Sequence, residues 1–127
     1  MKRETRAWVR KAEADWRAAV REASVTKPDR DIVSFHCQQC AEKYLKALLQ
    51  EFGLSIPKIH DLDQLLALLL PQASSLKSLK SRLVILSRYA VDYRYPGFST
   101  STREMRAALR HAERVRPKVR AILGLPP

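Results

Sequence analysis

The segment FHCQQCAEKYLKALLQ, residues 35–50, sets a histidine directly before a C-x-x-C pair and follows it with Lys43 and Lys46. Those residue types admit three readings: a metal site, a dithiol redox pair, or two small side chains in a helix core. Zinc takes four protein ligands in a closed site and three in an open one, and the chain has no cysteines besides Cys37 and Cys40. A redox C-x-x-C normally opens a helix, where exposed amides stabilise the thiolate. Here the helical pattern begins about two turns before the pair. On a helical projection Val33, Cys37, Cys40, Ala41, Tyr44, Leu45, Leu48 and Phe52 share one face. The sulfurs are therefore expected in the core, with no metal and no cofactor, and His36 points about 100° away from Cys37.

The other side of this helix carries a polar stripe of His36, Gln39, Lys43, Lys46 and Gln50, flanked by Phe35 and Leu49. It is either a solvated face or the wall of a groove. Glu42, four residues before Lys46, reads as a surface ion pair worth about 0.3 kcal/mol.

The elements that must position these residues are all helical, because no convincing apolar alternation occurs and the prolines fall between apolar-periodic blocks, Pro117 excepted. A first helix is expected from about Glu4 to Ala23, with Trp8, Ala12, Ala19 and Ala23 on its stripe and Val9, Trp16 and Val20 widening it. Pro28 and Asp29 open a second helix that Gly53 ends. Asp61 is placed to cap a short third helix ending near Pro71. A fourth starts at Ser74 and Ser75 and runs through Leu76, Leu79, Leu83, Leu86 and Ala90 until Tyr95-Pro96-Gly97. The last begins in the Ser99–Thr102 cluster, with Glu104 complementing its positive end and Met105, Ala108, Ala112, Val115, Val119 and Ile122 as its seam. Pro117 is expected to kink or divide it. The fold class is an all-α, antiparallel (up-and-down) bundle of four to five helices.

A chain of 127 residues with 46% apolar residues suits one domain, residues 1–127. No apolar run is long enough to span a membrane and no leader pattern is visible, so a soluble, cytoplasmic protein is expected. Two cysteines make no disulfide framework. The net charge of +11, from 24 Lys and Arg against 13 Asp and Glu, attracts polyanions such as nucleic acid, nucleotides or an acidic partner, or simply solvates the surface. No Gly-rich phosphate loop, H-E-x-x-H or carboxylate metal cluster occurs.

The ordered set FHCQQCAEKYLKALL, then HDL at His60–Leu62, then DYRYP at Asp92–Pro96, resembles the HEPN domain family. So does the early pattern of Trp8, Ala12, Asp15 and Ala19. Its most specific part is Gln38, Gln39, Glu42, Lys43, Lys46 and Ala47, and the resemblance covers residues 5 to 123. It implies a helical bundle that commonly forms a homodimer, binds a nucleotide or RNA, and is often paired with a minimal nucleotidyltransferase as in toxin–antitoxin systems. Catalytic members look like metal-independent endoribonucleases with an R-x4-6-H motif, in which histidine moves a proton and arginine steadies phosphate charge.

Two pairs match that spacing here, Arg30 with His36 and Arg106 with His111. Fifteen arginines in the chain fill about one of nine permitted positions by chance. Neither pair stands at Tyr93-Arg94-Tyr95-Pro96, where no histidine follows Arg94 within six residues. A binding role is favoured over cleavage. The aromatic rings of Tyr89, Tyr93 and Tyr95 offer stacking surfaces and Arg94 a phosphate clamp, with His36, Gln39, Lys43, Lys46 and His60 as further donors. The alternative is that the tyrosines pack the bundle end and Arg94 pairs with Asp92. Arg103, Arg106, Arg110 and Arg114 form a basic stripe on the last helix, for phosphates or for solubility.

Overall fold

The computed structural model describes residues 1–92 and 95–127. Its described residues form five α-helices: α1 (Arg3–Ala23), α2 (Arg30–Glu51), α3 (Leu62–Leu69), α4 (Lys80–Ser87) and α5 (Thr102–Ile122). A 3-10 segment, Ser74–Leu79, leads into α4. The all-α bundle expected from the sequence is present, and the single fourth helix resolves into this 3-10 turn plus α4.

Local chemistry sets the helix ends. Asp29 accepts a bond from the Ile32 amide to start α2, and Asp61 accepts from Asp63 and Gln64 to start α3. At α5 the Ser101 hydroxyl accepts from the Glu104 amide while the Glu104 carboxylate accepts from the Ser101 amide. That reciprocal box satisfies two otherwise unpaired donors. Ser101→Ala should lower stability by about 1 kcal/mol in denaturant melts. Gly53 closes α2 at φ +71°, with Leu54 N–H donating to Leu49 O and Gly53 N–H to Gln50 O. This left-handed turn is open to glycine at little strain.

Pro117 does not divide α5, which runs unbroken through it. The missing N–H would have bonded the carbonyl of Glu113, an exposed residue.

The second helix is the axis of the molecule, packing against α1, α3, α4 and α5. Lys2 N–H meets the Glu51 side chain and Tyr44 meets Glu13, so α1 and α2 run antiparallel. The 3-10 segment and α4 run antiparallel to α5, as Lys118–Ser78 and Arg82–His111 bonds show. Arg30 beside Thr100 and Arg120 beside Tyr44 place α2 and α5 in the same direction. Leu62, Leu65, Leu66 and Leu69 of α3 and Leu83 and Leu86 of α4, with Ala108, Ala112, Val115 and Val119 of α5, close the core over α2.

The stripe of α1 is rotated from its expected position. Thr5 and Asp15 are buried with Val9, Ala12 and Ala19, while Val20 is exposed. Among the described residues, no helix is long and apolar enough to cross a membrane.

Candidate functional site

Cys37 and Cys40 lie fully inside the core as free thiols. Burial pushes the Cys37 thiol up to about 12, and Cys40 is raised too, by burial and then by the neighbouring Cys37. Thiols held protonated in this way are poor nucleophiles and poor metal ligands. Among the described residues, no group of three or more His, Cys, Asp and Glu side chains is placed to hold a metal ion.

Chemistry gathers on the opposite arc of α2, around two buried acids. Asp15 reaches across from α1 with one carboxylate oxygen 2.7 Å from His36 Nδ1 and the other 2.5 Å from Lys43 Nζ. Glu42, within α2 itself, lies 2.9 Å from His60 Nδ1 and accepts from Lys46 Nζ at 3.1 Å and Gln38 Nε2 at 3.1 Å. Gln38 also donates to the His60 carbonyl, and Gln39 donates to Gln38. An ionised carboxylate only accepts, so each imidazole presents its Nδ1–H to the acid and keeps Nε2 as its remaining ring acceptor.

The Glu42–Lys46 pair corrects the surface reading: the side chains are 5% and 8% exposed. A buried pair gains Coulomb energy but loses hydration, and the two nearly cancel. Lys46 Nζ lies 5.9 Å from the Trp8 ring centroid, close enough for cation–π attraction. Beside it a shallow hollow of about 420 Å³ is lined by Glu4, Ala7, Trp8, Lys11 and Gln50. The stripe of His36, Gln39, Lys43, Lys46 and Gln50 is thus half-buried or buried along its length and is not a freely solvated face.

The HEPN domain family model matches residues 5–122. The chain belongs to the HEPN domain family. Two solved HEPN-like folds superpose well on this one. The crystal structure of TT1696 from Thermus thermophilus does so at TM-score 0.83, with 23% identity over 94% of this chain and 98% of that one. ST0689, an archaeal HEPN homologue, does so at TM-score 0.73, with 24% identity over 97% and 99% of the two chains. No curated protein matches the sequence.

Within this HEPN domain neither Arg/His spacing forms a pair. Arg30 and His36 lie about 120° apart around α2. Arg30 donates to the Thr100 carbonyl beside α5, whereas His36 faces α1. Arg106 and His111 lie about 140° apart around α5, with Arg106 exposed and His111 accepting from Arg82. An α-helix returns near its starting face at about three to four residues and again at about seven, so spacings of six and five fall on different sides. Of the aromatic cluster, Tyr89 is core and packs edge-on to Phe98, and Tyr95 is exposed. Tyr93 and Arg94 lie outside the described residues. The acids Asp15 and Glu42 were missed as site residues. The signal for Asp15 was present, since it falls three residues after Ala12 on the buried stripe of α1.

Proposed function

We propose that this HEPN domain is a binding module for a nucleotide or an RNA strand, using the α2 arc rather than cutting its ligand. One observation supports the reading above others: two histidines, each steered at Nδ1 by a buried carboxylate, flank Gln39, Lys43 and Lys46 on a single helix face. Buried charge that adds little net stability points to a functional role. Nε2 of His36 and His60, the Gln39 amide and the partly exposed Lys43 ammonium provide directional hydrogen bonds to phosphate, ribose or base edges. Trp8, at the edge of the same arc, supplies a ring on which a base can stack. Lys43 and Lys46 are each matched by an acid, so recognition here is by bond geometry more than by net charge. His60 is more than half exposed and stands ready at the rim.

A homodimer and a minimal nucleotidyltransferase partner belong to the same proposal, and HEPN family membership is what supports them. Endoribonuclease action is the weaker reading, because the two Arg/His spacings are split between helix faces.

The test is a calorimetric titration with ATP and with a short single-stranded RNA. Lys43→Ala and His36→Ala should each weaken binding about tenfold, the worth of one charge-assisted bond. Equal affinity in parent and both variants, or no binding by the parent, removes the proposed arc.

A further inference from the structure

The outer side of α5 has the opposite electrostatic character to the α2 arc. A concavity of about 540 Å³ there is lined by Arg82, Arg110, Glu113, Arg114 and Arg116, among others. Arg116 is spoken for by Glu13, with two bonds of 2.9 and 2.7 Å. Among the described residues, Arg82, Arg110 and Arg114 have no acidic partner within ion-pair distance. Arg82 instead donates from Nη1 to Nδ1 of His111 at 3.0 Å. A guanidinium has no acceptor, so His111 is held neutral with its proton on Nε2. Arginine bonded to a neutral ring keeps its full charge uncompensated.

We propose that this concavity is a second ligand site, one that takes a phosphate group between Arg82, Arg110 and Arg114, with His111 as a proton-linked partner. It goes beyond the α2 reading and does not depend on it. Guanidinium forks match tetrahedral oxyanions in geometry, and three of them with one acid, Glu113, leave a positive surplus for an anion to neutralise.

The charges acting on His111 support the linkage. Arg82 faces it from α4 and Arg110 adjoins it on α5. Arg114 and Lys118, three and seven residues on, share its helix face, and Lys118 is bonded to Ser78 of the 3-10 segment. Glu113 lies about 160° round the helix and gives His111 little relief. Burial first, then Arg82 and Arg110, hold the imidazole below its ordinary value of 6.5. A bound dianion reverses the sign of the local field, so His111 takes up a proton as the anion arrives. Protonated Nδ1 can no longer accept from Arg82, which frees that guanidinium for the ligand. Binding then tightens as pH falls through the His111 titration and flattens above it.

Sulfate, a tetrahedral dianion that does not titrate in this range, is the probe. The three histidine ring protons are followed by NMR from pH 5 to 8 in sulfate and in chloride at equal ionic strength. In sulfate the His111 midpoint should move up. The movement should vanish in Arg110→Gln/Arg114→Gln, both exposed positions, and persist in Lys43→Ala. An oligothymidylate and a nucleoside diphosphate then replace sulfate in two further arms, and whichever moves His111 identifies a polynucleotide backbone or a free phosphate ligand as the source. An unmoved midpoint, the same movement in the double variant, or a response to sulfate with neither phosphate compound active would each overturn the site.

Discussion

Glu42→Leu should cost about 3 kcal/mol of stability, roughly 10 °C in Tm for a chain of this size. Glu42 is the common acceptor for Lys46, His60 and Gln38. Removing it strands an ammonium whose side chain is 8% exposed, with the Trp8 ring as its remaining attraction among the described contacts. Glu42→Leu/Lys46→Met removes both charges at similar volume and should regain most of the loss, because the dehydration of both ions disappears with them. Urea and thermal melts of the parent and the two variants read this directly. If the single variant melts within about 0.5 kcal/mol of the parent, water reaches this pair and the arc is not prearranged.

The double variant also bears on function. A chain that refolds with full stability but no longer binds ATP or RNA would separate what the ion pair does for the fold from what it does for the ligand. Retained binding would shift the burden of recognition to Asp15, His36 and Lys43.

The helices were legible in the sequence because their signals are local. Asp29, Asp61 and Ser101 announce helix starts by their own side chains, and Gly53 an end by its freedom at positive φ. The burial of Cys37 and Cys40 followed from spacing alone. What escaped was decided across elements. Glu42 and Lys46 look like any surface pair until the loop carrying His60 folds back over them. Asp15 looks like a solvated acid until α2 presents His36 and Lys43 to it. The Arg/His spacings looked chemical in one dimension and part company on the helix surface. Helical periodicity reports which face is apolar; it cannot report which polar residues will meet a partner from another helix.

Glu13→Gln should cost about 2 kcal/mol at neutral pH and progressively less in acid. Glu13 joins three helices: it accepts two bonds from Arg116 of α5 and one from the Tyr44 hydroxyl of α2, and Arg120 stands 3.7 Å away. Burial alone would raise its carboxyl, but the bonds from Arg116 and Tyr44 and the charges of Arg116 and Arg120 outweigh that and leave it below the ordinary 4.5. A carboxyl depressed by folding adds stability that is fully present above 4.5 and is lost as pH falls through its folded value. The parent should therefore shed this contribution below about pH 4.5, whereas Glu13→Gln, with no proton to gain there, should follow a shallower acid limb. Tyr44, pushed up by burial and then by its bond to Glu13, stays protonated and keeps donating throughout. The two curves should converge in acid; parallel curves from pH 7 to pH 3 would show that Glu13 carries no folding-linked charge. Glu13 and Asp15 clasp α2 from two directions, Glu13 at Tyr44 and Asp15 at His36 and Lys43. Weakening the first clasp should loosen the second, so acid that releases Glu13 should also relax the arc on which recognition is proposed to rest.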